Sequence, residues 1–397
     1  MNFMGDTRIL IIRIKKTNIQ LDVRGGKAMS ILFESISIKN MTLKNRFVRS
    51  ATYDGFADNG YVTNQQIKFF SELAEGGVSL IIAGMANVHP TDQILPMQNS
   101  IARDEFVDSF KKLTKAVHDR DSKIALQLVH AGRAASLFNS QLDYTSLAPS
   151  CIGDDPYYKG EHRAMTESEI WEIIQAFGDA AVRAKGSGFD AVQLHGAHAY
   201  LLMQFLSPFT NRRDDQWGGS LKNRLRFHRE IYTDIRKKVG EDYPILIKLG
   251  VQDGFLGGFE FNEGKQAAKL LADIGFDALE ISQGLRGKDY EETEFRPQIN
   301  SLNKEAYFGN WAREIKGEIN VPIMMVGGLK SLSLMEEKIQ NKEADFISLC
   351  RPLLSEPGLI NDFKTNKKGK ARCISCNKCV DVILKGKSVY CVQNATS

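Results

Sequence analysis

No stretch of this sequence approaches the roughly 18 consecutive apolar residues that a membrane-spanning helix requires. Its clearest apolar runs, Ile9–Ile12 and Val78–Ala83, are no longer than a strand. Arg8 and Arg13 close off the first run and no small-residue cleavage site follows, so a secretory signal is not expected. Charge of one sign is equally scarce: a net +4 over 397 residues gives no reason to expect nucleic acid or a membrane as partner. Low-complexity segments and internal repeats are lacking, which excludes solenoids and propellers. What is there is ordinary for a soluble enzyme, with 43% apolar and 25% charged residues. Cysteine is sparse and unevenly spread, since four of the six stand at Cys373, Cys376, Cys379 and Cys391. That crowding fits metal or cluster chemistry in a reducing compartment better than disulfides, and the expected location is the cytoplasm. Cys151 and Cys350 stand alone and are assigned packing roles.

Residues 1–28 are basic, lack an amphipathic repeat and end in Arg24-Gly25-Gly26-Lys27. Met29-Ser30-Ile31-Leu32-Phe33 reads as a natural start, so residues 1–28 are expected to be a disordered or mis-annotated leader. From there short apolar, β-branched runs recur at Phe47–Ser50, Val78–Gly84, Lys123–Val129, Phe189–Leu194, Pro244–Leu249, Phe276–Ser282, Val321–Val326 and Asp345–Leu349. Between most of them lie longer stretches with apolar residues at helical spacing, such as Glu167–Lys185 and Leu221–Val239. Eight continuous buried strands separated by helices predict a parallel sheet covered on both faces, and eight such units fit a closed (β/α)8 TIM barrel. The expected α/β barrel occupies residues 29–366, with a cysteine-rich tail at 367–397. No G-x-G-x-x-G follows a strand, so no second dinucleotide-binding domain is expected within these residues.

Barrels of this kind carry their chemistry where strands end. Here those ends hold Ser50-Ala51-Thr52-Tyr53, Gln127 with His130, His195 through Tyr200, Lys248, Gly327-Gly328 and Cys350-Arg351. A glycine turn after strand seven and an arginine after strand eight are suited to a phosphate, because glycines expose backbone N–H groups and Arg351 adds a bidentate contact. The plainer alternative is a tight turn and a surface arginine. His195 and His198 can hold a carbonyl oxygen and stabilise developing negative charge, and Tyr200 can donate a proton. A hydrogen-bonded structural pair beside a half-buried tyrosine is the alternative; no acidic third ligand beside them suggests zinc. Lys248, inside Ile245-Leu246-Ile247-Lys248-Leu249, needs an anionic or polar partner; a bound electron-rich ring or a Schiff-base role would each account for it.

With these residues assembled, the sequence resembles the old yellow enzyme family of flavin oxidoreductases. The resemblance runs from about Ile31 to Arg351 and is carried by three motifs: Leu43-Lys44-Asn45-Arg46-Phe47-Val48, Gln127 through Arg133, and His195 through Pro208. Asn211-Arg212-Arg213-Asp214 leading to Gly218-Gly219-Ser220-Leu221-Lys222-Asn223-Arg224 is equally typical of the family. The resemblance implies FMN across the barrel mouth, contacted by Ser50, Ala51, Thr52, Gly84, Met85, Gln127, Lys248, Gly327, Gly328 and Arg351. It implies that His195 and His198 bind a substrate carbonyl oxygen, that Tyr53 borders the substrate, and that Tyr200 is the proton donor. NADH or NADPH would pass hydride to the flavin, which would reduce an activated C=C bond of a small-molecule substrate. Amine dehydrogenation, or a phosphate-binding lyase or aldolase using Lys248, are the alternatives. Lys248 replaces a frequent arginine, Tyr53 a frequent threonine or cysteine, and Trp217 a common tyrosine, while Thr52 is polar where many members are apolar. Homo-oligomers are common among such enzymes, which makes a homo-oligomer possible here, but no interface is visible in the sequence.

The cysteine tail reads C-x2-C-x2-C-x11-C, from Cys373 through Cys376 and Cys379 to Cys391. Three thiolates at this spacing with a distant fourth suit a [4Fe–4S] cluster; zinc or a vestigial site are the alternatives. The segment also resembles that of larger relatives, the dienoyl-CoA reductases and trimethylamine dehydrogenase. A cluster here would call for an external electron donor.

Overall fold

The computed structural model describes residues 30–92, 97–135, 145–153 and 160–394, so the expected leader, residues 1–28, lies outside the described residues. Eight parallel strands form a closed barrel: β1 (Phe47–Arg49), β2 (Leu80–Asn87), β3 (Lys123–Val129), β4 (Ala191–Gly196), β5 (Ile245–Gly250), β6 (Ala278–Ser282), β7 (Ile323–Met325) and β8 (Phe346–Leu349). Closure is direct, with Leu349 of β8 opposite Arg49 of β1 and Val48 of β1 opposite Leu80 of β2. The fold is the (β/α)8 barrel that the eight apolar runs predict. Each run is buried on both faces, the barrel interior on one side and the surrounding helices on the other, which is why the runs are continuous and not alternating.

The inward face is packed by Val48, Leu80, Ile82, Ala125, Ala191, Leu246, Ala278, Met324 and Phe346. A two-stranded hairpin, Ile36–Ile38 against Met41–Leu43, inserts Ile38, Met41 and Leu43 into the same cluster and stoppers the N-terminal end. Burying side chains of this size is worth about 1.5–3 kcal/mol each. With that end filled, polar side chains gather at the opposite one. The larger shell between strands and helices is built by residues at helical spacing, such as Ile170, Ile173, Ile174, Phe177 and Ala181 of the helix Glu167–Gly186. That helix starts on a capping box, Thr166 and Glu169 each bonding the other's backbone N–H. The strand–helix–strand order thus leaves the C-terminal ends of all eight strands pointing to one mouth. No helix among the described residues is long and apolar enough to cross a membrane.

Candidate active site at the barrel mouth

A cavity of about 260 Å³ opens at the strand ends. Ser50, Ala51, Thr52, Tyr53, Met85, Gln127, His195, His198, Tyr200, Lys248, Gly327, Gly328 and Arg351 all line it. Gly84 does not line it but permits it: a Cβ there would stand 2.9 Å from both the Ala51 Cβ and the Thr52 amide nitrogen. The close approach follows from an irregularity in β2, whose register with β3 shifts between Ala83 and Ala86.

The cavity floor is a polar layer in an otherwise apolar barrel. Lys248 is 3% exposed, donates to the Ser50 hydroxyl at 2.9 Å and lies 3.3 Å from the Glu280 carboxylate. Gln127 donates to Gln193 at 2.8 Å, and Gln193 to Glu280 at 3.0 Å. Beside this layer Arg49 donates to the Ser50 carbonyl and to the Thr52 hydroxyl, while its Nε has no partner within the protein. The Thr52 hydroxyl in turn meets the Cys350 sulfur at 2.9 Å. Burial pushes the Cys350 thiol up, but Arg49, the Thr52 contact and Arg351 together hold it below its ordinary value. A lone packing role for Cys350 therefore understates its position in the cavity wall.

At one side of the cavity β4 ends in a turn through the left-handed region, His198 at φ +56° and Ala199 at φ +68°. The turn folds three rings together: His195 lies 5.0 Å from His198 and 4.7 Å from Tyr200, centroid to centroid. His198 Nε2 meets the Ser282 hydroxyl at 2.8 Å, whereas His195 Nδ1 is buried with no partner. Burial, and then the charges of Lys248 and Arg286, hold both imidazoles well below the usual histidine value; His195 is lowered further by His198. Both are therefore neutral at neutral pH, each with one N–H to donate. Substrate KM should consequently be flat from pH 6 to 8, with no step near the ordinary value of about 6.5. A step there, abolished by His195→Asn, would contradict this.

Arg286 and Glu294 were not singled out from the sequence, yet both line the cavity next to Tyr200. Arg286 Nε lies 3.0 Å from both carboxylate oxygens, and its guanidinium stands 6.0 Å from the Tyr200 ring. Asp253, fully buried and raised to about 6 by that burial, anchors their loop by accepting the Leu285 N–H at 2.7 Å. The signal available in sequence is position alone, since Gln283-Gly284-Leu285-Arg286 follows β6 directly.

At the opposite end Gly327 and Gly328 take φ +120° and +73°, and a Cβ on either would stand within 3.0 Å of the Tyr307 ring. Arg351 donates to the Arg296 carbonyl at 2.9 Å and to the Asn377 side chain. Asn377 belongs to the cysteine-rich segment, which folds back over the mouth. Gln298 donates its backbone N–H to Ser375, and Val389 donates to Asp54. The helix Lys378–Leu384 presents Cys379, Val380, Ile383 and Leu384 to the cavity. All six cysteines are free, and among the described residues no three His, Cys, Asp or Glu side chains are arranged to hold a metal ion. Cys373, Cys376, Cys379 and Cys391 thus do not form a ready metal site, although they lie close enough to influence one another. The Cys379 thiol is pushed up to about 12, first by burial and then by the thiols of Cys350, Cys373 and Cys376 against Arg351.

Residues 31–369 match the NADH:flavin oxidoreductase / NADH oxidase family. Over 355 residues the chain is 37% identical to an NADH oxidase of Thermoanaerobacter brockii, covering 87% of this chain and 52% of that protein. It is 34% identical to an NADPH dehydrogenase of Bacillus subtilis over 328 residues, 82% of this chain and 92% of the relative. Among solved structures, a 2-naphthoyl-CoA reductase complex superposes with a TM-score of 0.83 at 27% identity, covering 91% of this chain and 56% of that one. The chain spans about half the length of the first of these relatives and nearly all of the second.

Proposed function

The chain belongs to the NADH:flavin oxidoreductase / NADH oxidase family, and on that footing we propose that it reduces an activated C=C bond of a small carbonyl compound with FMN as resident cofactor. The residues fit the group. Gly327 and Gly328 expose backbone at a turn that lines the same cavity as Arg351, as a phosphate needs, and Lys248 supplies a buried cation under a cavity broad enough for a ring. Arg49 Nε and the Ser348 hydroxyl are buried polar atoms at the cavity that lack a protein partner. When bound, FMN supplies two-electron chemistry, taking hydride from NADH or NADPH and passing it to a substrate carbon.

The protein's own part is to bind, polarise and protonate. His195 and His198 line the cavity and are held neutral by burial, which suits them to donate to a carbonyl oxygen on which charge accumulates as the neighbouring double bond is reduced. Tyr200, 6% exposed and packed against His195, is placed to deliver the proton to the α-carbon. Tyr53 borders the same space and keeps its proton firmly, because burial and Asp54 push its phenol up. Val380, Ile383 and Leu384 of the tail helix add apolar surface to the wall of that space. The observation that carries this reading is the convergence of His195, His198 and Tyr200 on the cavity that also holds Lys248 and the two glycines. Lys248 is engaged by Ser50 and Glu280, which counts against a Schiff-base role.

Among the described residues the four tail thiols are not arranged to hold a metal ion, and the proposed chemistry uses no [4Fe–4S] cluster. The reading is tested by separating the half-reactions. Protein loaded with FMN and reduced anaerobically by NADH or NADPH should be reoxidised by a cyclic enone, with saturated ketone as product. Reduction by an amine, with no reoxidation by any enone or enoate, would replace it with the amine dehydrogenase reading.

A further inference from the structure

Glu280 has no place in the chemistry above, and its setting is costly. It sits on β6 directly opposite Lys248 in the strand register, with zero exposure. Its Oε2 takes a hydrogen bond from Gln193 and faces Lys248 at 3.3 Å, while its Oε1 has no partner. The donor chain beneath the cavity, Gln127 to Gln193 to Glu280, therefore delivers a single N–H to a carboxylate that has two oxygens to satisfy. A buried ion pair of this kind is weak evidence for stability, because apolar residues fill such space at less expense. Ser50 already gives Lys248 a polar partner. Lys248 lines the cavity and Glu280 does not, so the carboxylate lies one layer down, out of reach of any substrate.

We propose that Glu280 is a positioning residue that sets the reduction potential of the bound flavin by cancelling the charge of Lys248. The inference rests on the FMN reading of the previous section. Reduction adds two electrons and leaves the flavin ring anionic, so an uncompensated cation at the cavity floor favours the reduced form. A carboxylate 3.3 Å from that cation opposes its field in a region of low dielectric. The flavin is thereby kept harder to reduce and a stronger hydride donor than a lone lysine would make it.

The test is the FMN midpoint potential of the full chain, measured by anaerobic dye equilibration in wild type, Glu280→Gln, Lys248→Met and the double variant. Glu280→Gln preserves shape and leaves Lys248 uncompensated. It should favour reduced over oxidised flavin by at least about tenfold, a rise of about 30 mV for two electrons. Lys248→Met should lower the potential. The double variant should return close to the wild-type potential, because it removes both of the charges that offset each other. A merely structural glutamate would leave the potential unmoved. An unchanged potential in Glu280→Gln with FMN still bound overturns the inference and leaves the proposed function standing. Wild-type protein that binds no FMN overturns the proposed function instead. Should Glu280→Gln lose its flavin, Glu280→Asp carries the test: its carboxylate retreats from Lys248, a smaller rise is expected, and no rise overturns the inference.

Discussion

Replacing Tyr200 with Phe is expected to slow enone reduction by about 10²–10⁴-fold while leaving flavin reduction by NADH or NADPH at its wild-type rate. The asymmetry is what identifies the role. The ring of Tyr200 packs 4.7 Å from His195 and is almost fully buried, so Phe keeps the packing and removes only the hydroxyl. The first half-reaction moves a hydride onto flavin and asks nothing of a phenol. The second must place a proton on carbon, and Tyr200 lines the cavity in which that carbon would lie. Stopped-flow absorbance of the two half-reactions separates them. Loss in both would mean that the substitution disturbed the pocket, and full enone turnover would remove Tyr200 from the donor role.

The second large effect is expected at the histidines. His195→Ala should lower kcat/KM for the enone by about 10²–10³-fold, corresponding to about 2.7–4 kcal/mol of lost transition-state stabilisation. The reason lies in the orphaned Nδ1 of His195, a buried polar atom without a protein partner on a residue that lines the cavity. His198 differs, since the Ser282 hydroxyl already occupies its Nε2. His198→Ala should therefore cost less, by about tenfold relative to His195→Ala, a difference of about 1.4 kcal/mol. Flavin content and spectrum should be unchanged in both variants. Equal losses would show that the Ser282 contact breaks when substrate binds.

Much of this was legible in the sequence because buried parallel strands read as continuous apolar runs. All eight runs are strands, and their polar ends meet at one mouth. The boundaries moved for local reasons. β7 is confined to Ile323–Met325, since Pro322 has no N–H to give the ladder and Gly327 leaves the extended region at φ +120°. β2 runs on to Asn87, past the glycine expected to end it, because the register shift near Gly84 lets pairing resume at Ala86. Arg286, Glu294 and Tyr307 escaped notice because the excursion between β6 and β7 returns to the mouth through tertiary contacts that no periodicity records. Cysteine spacing dominates the tail's sequence, yet apolar Val380, Ile383 and Leu384 reach the cavity beside Cys379, which the spacing does not indicate. Glu280 could have been found by the rule that drew attention to Lys248, since it too is a charge inside a wholly buried strand.

The central claim, that this barrel is an FMN enzyme, is tested most directly by the absorption spectrum of the anaerobically purified 397-residue chain with FMN and iron quantified. The account predicts flavin bands and one FMN per chain, with iron deciding separately whether the tail carries a cluster. Colourless protein that takes up no added FMN would contradict it.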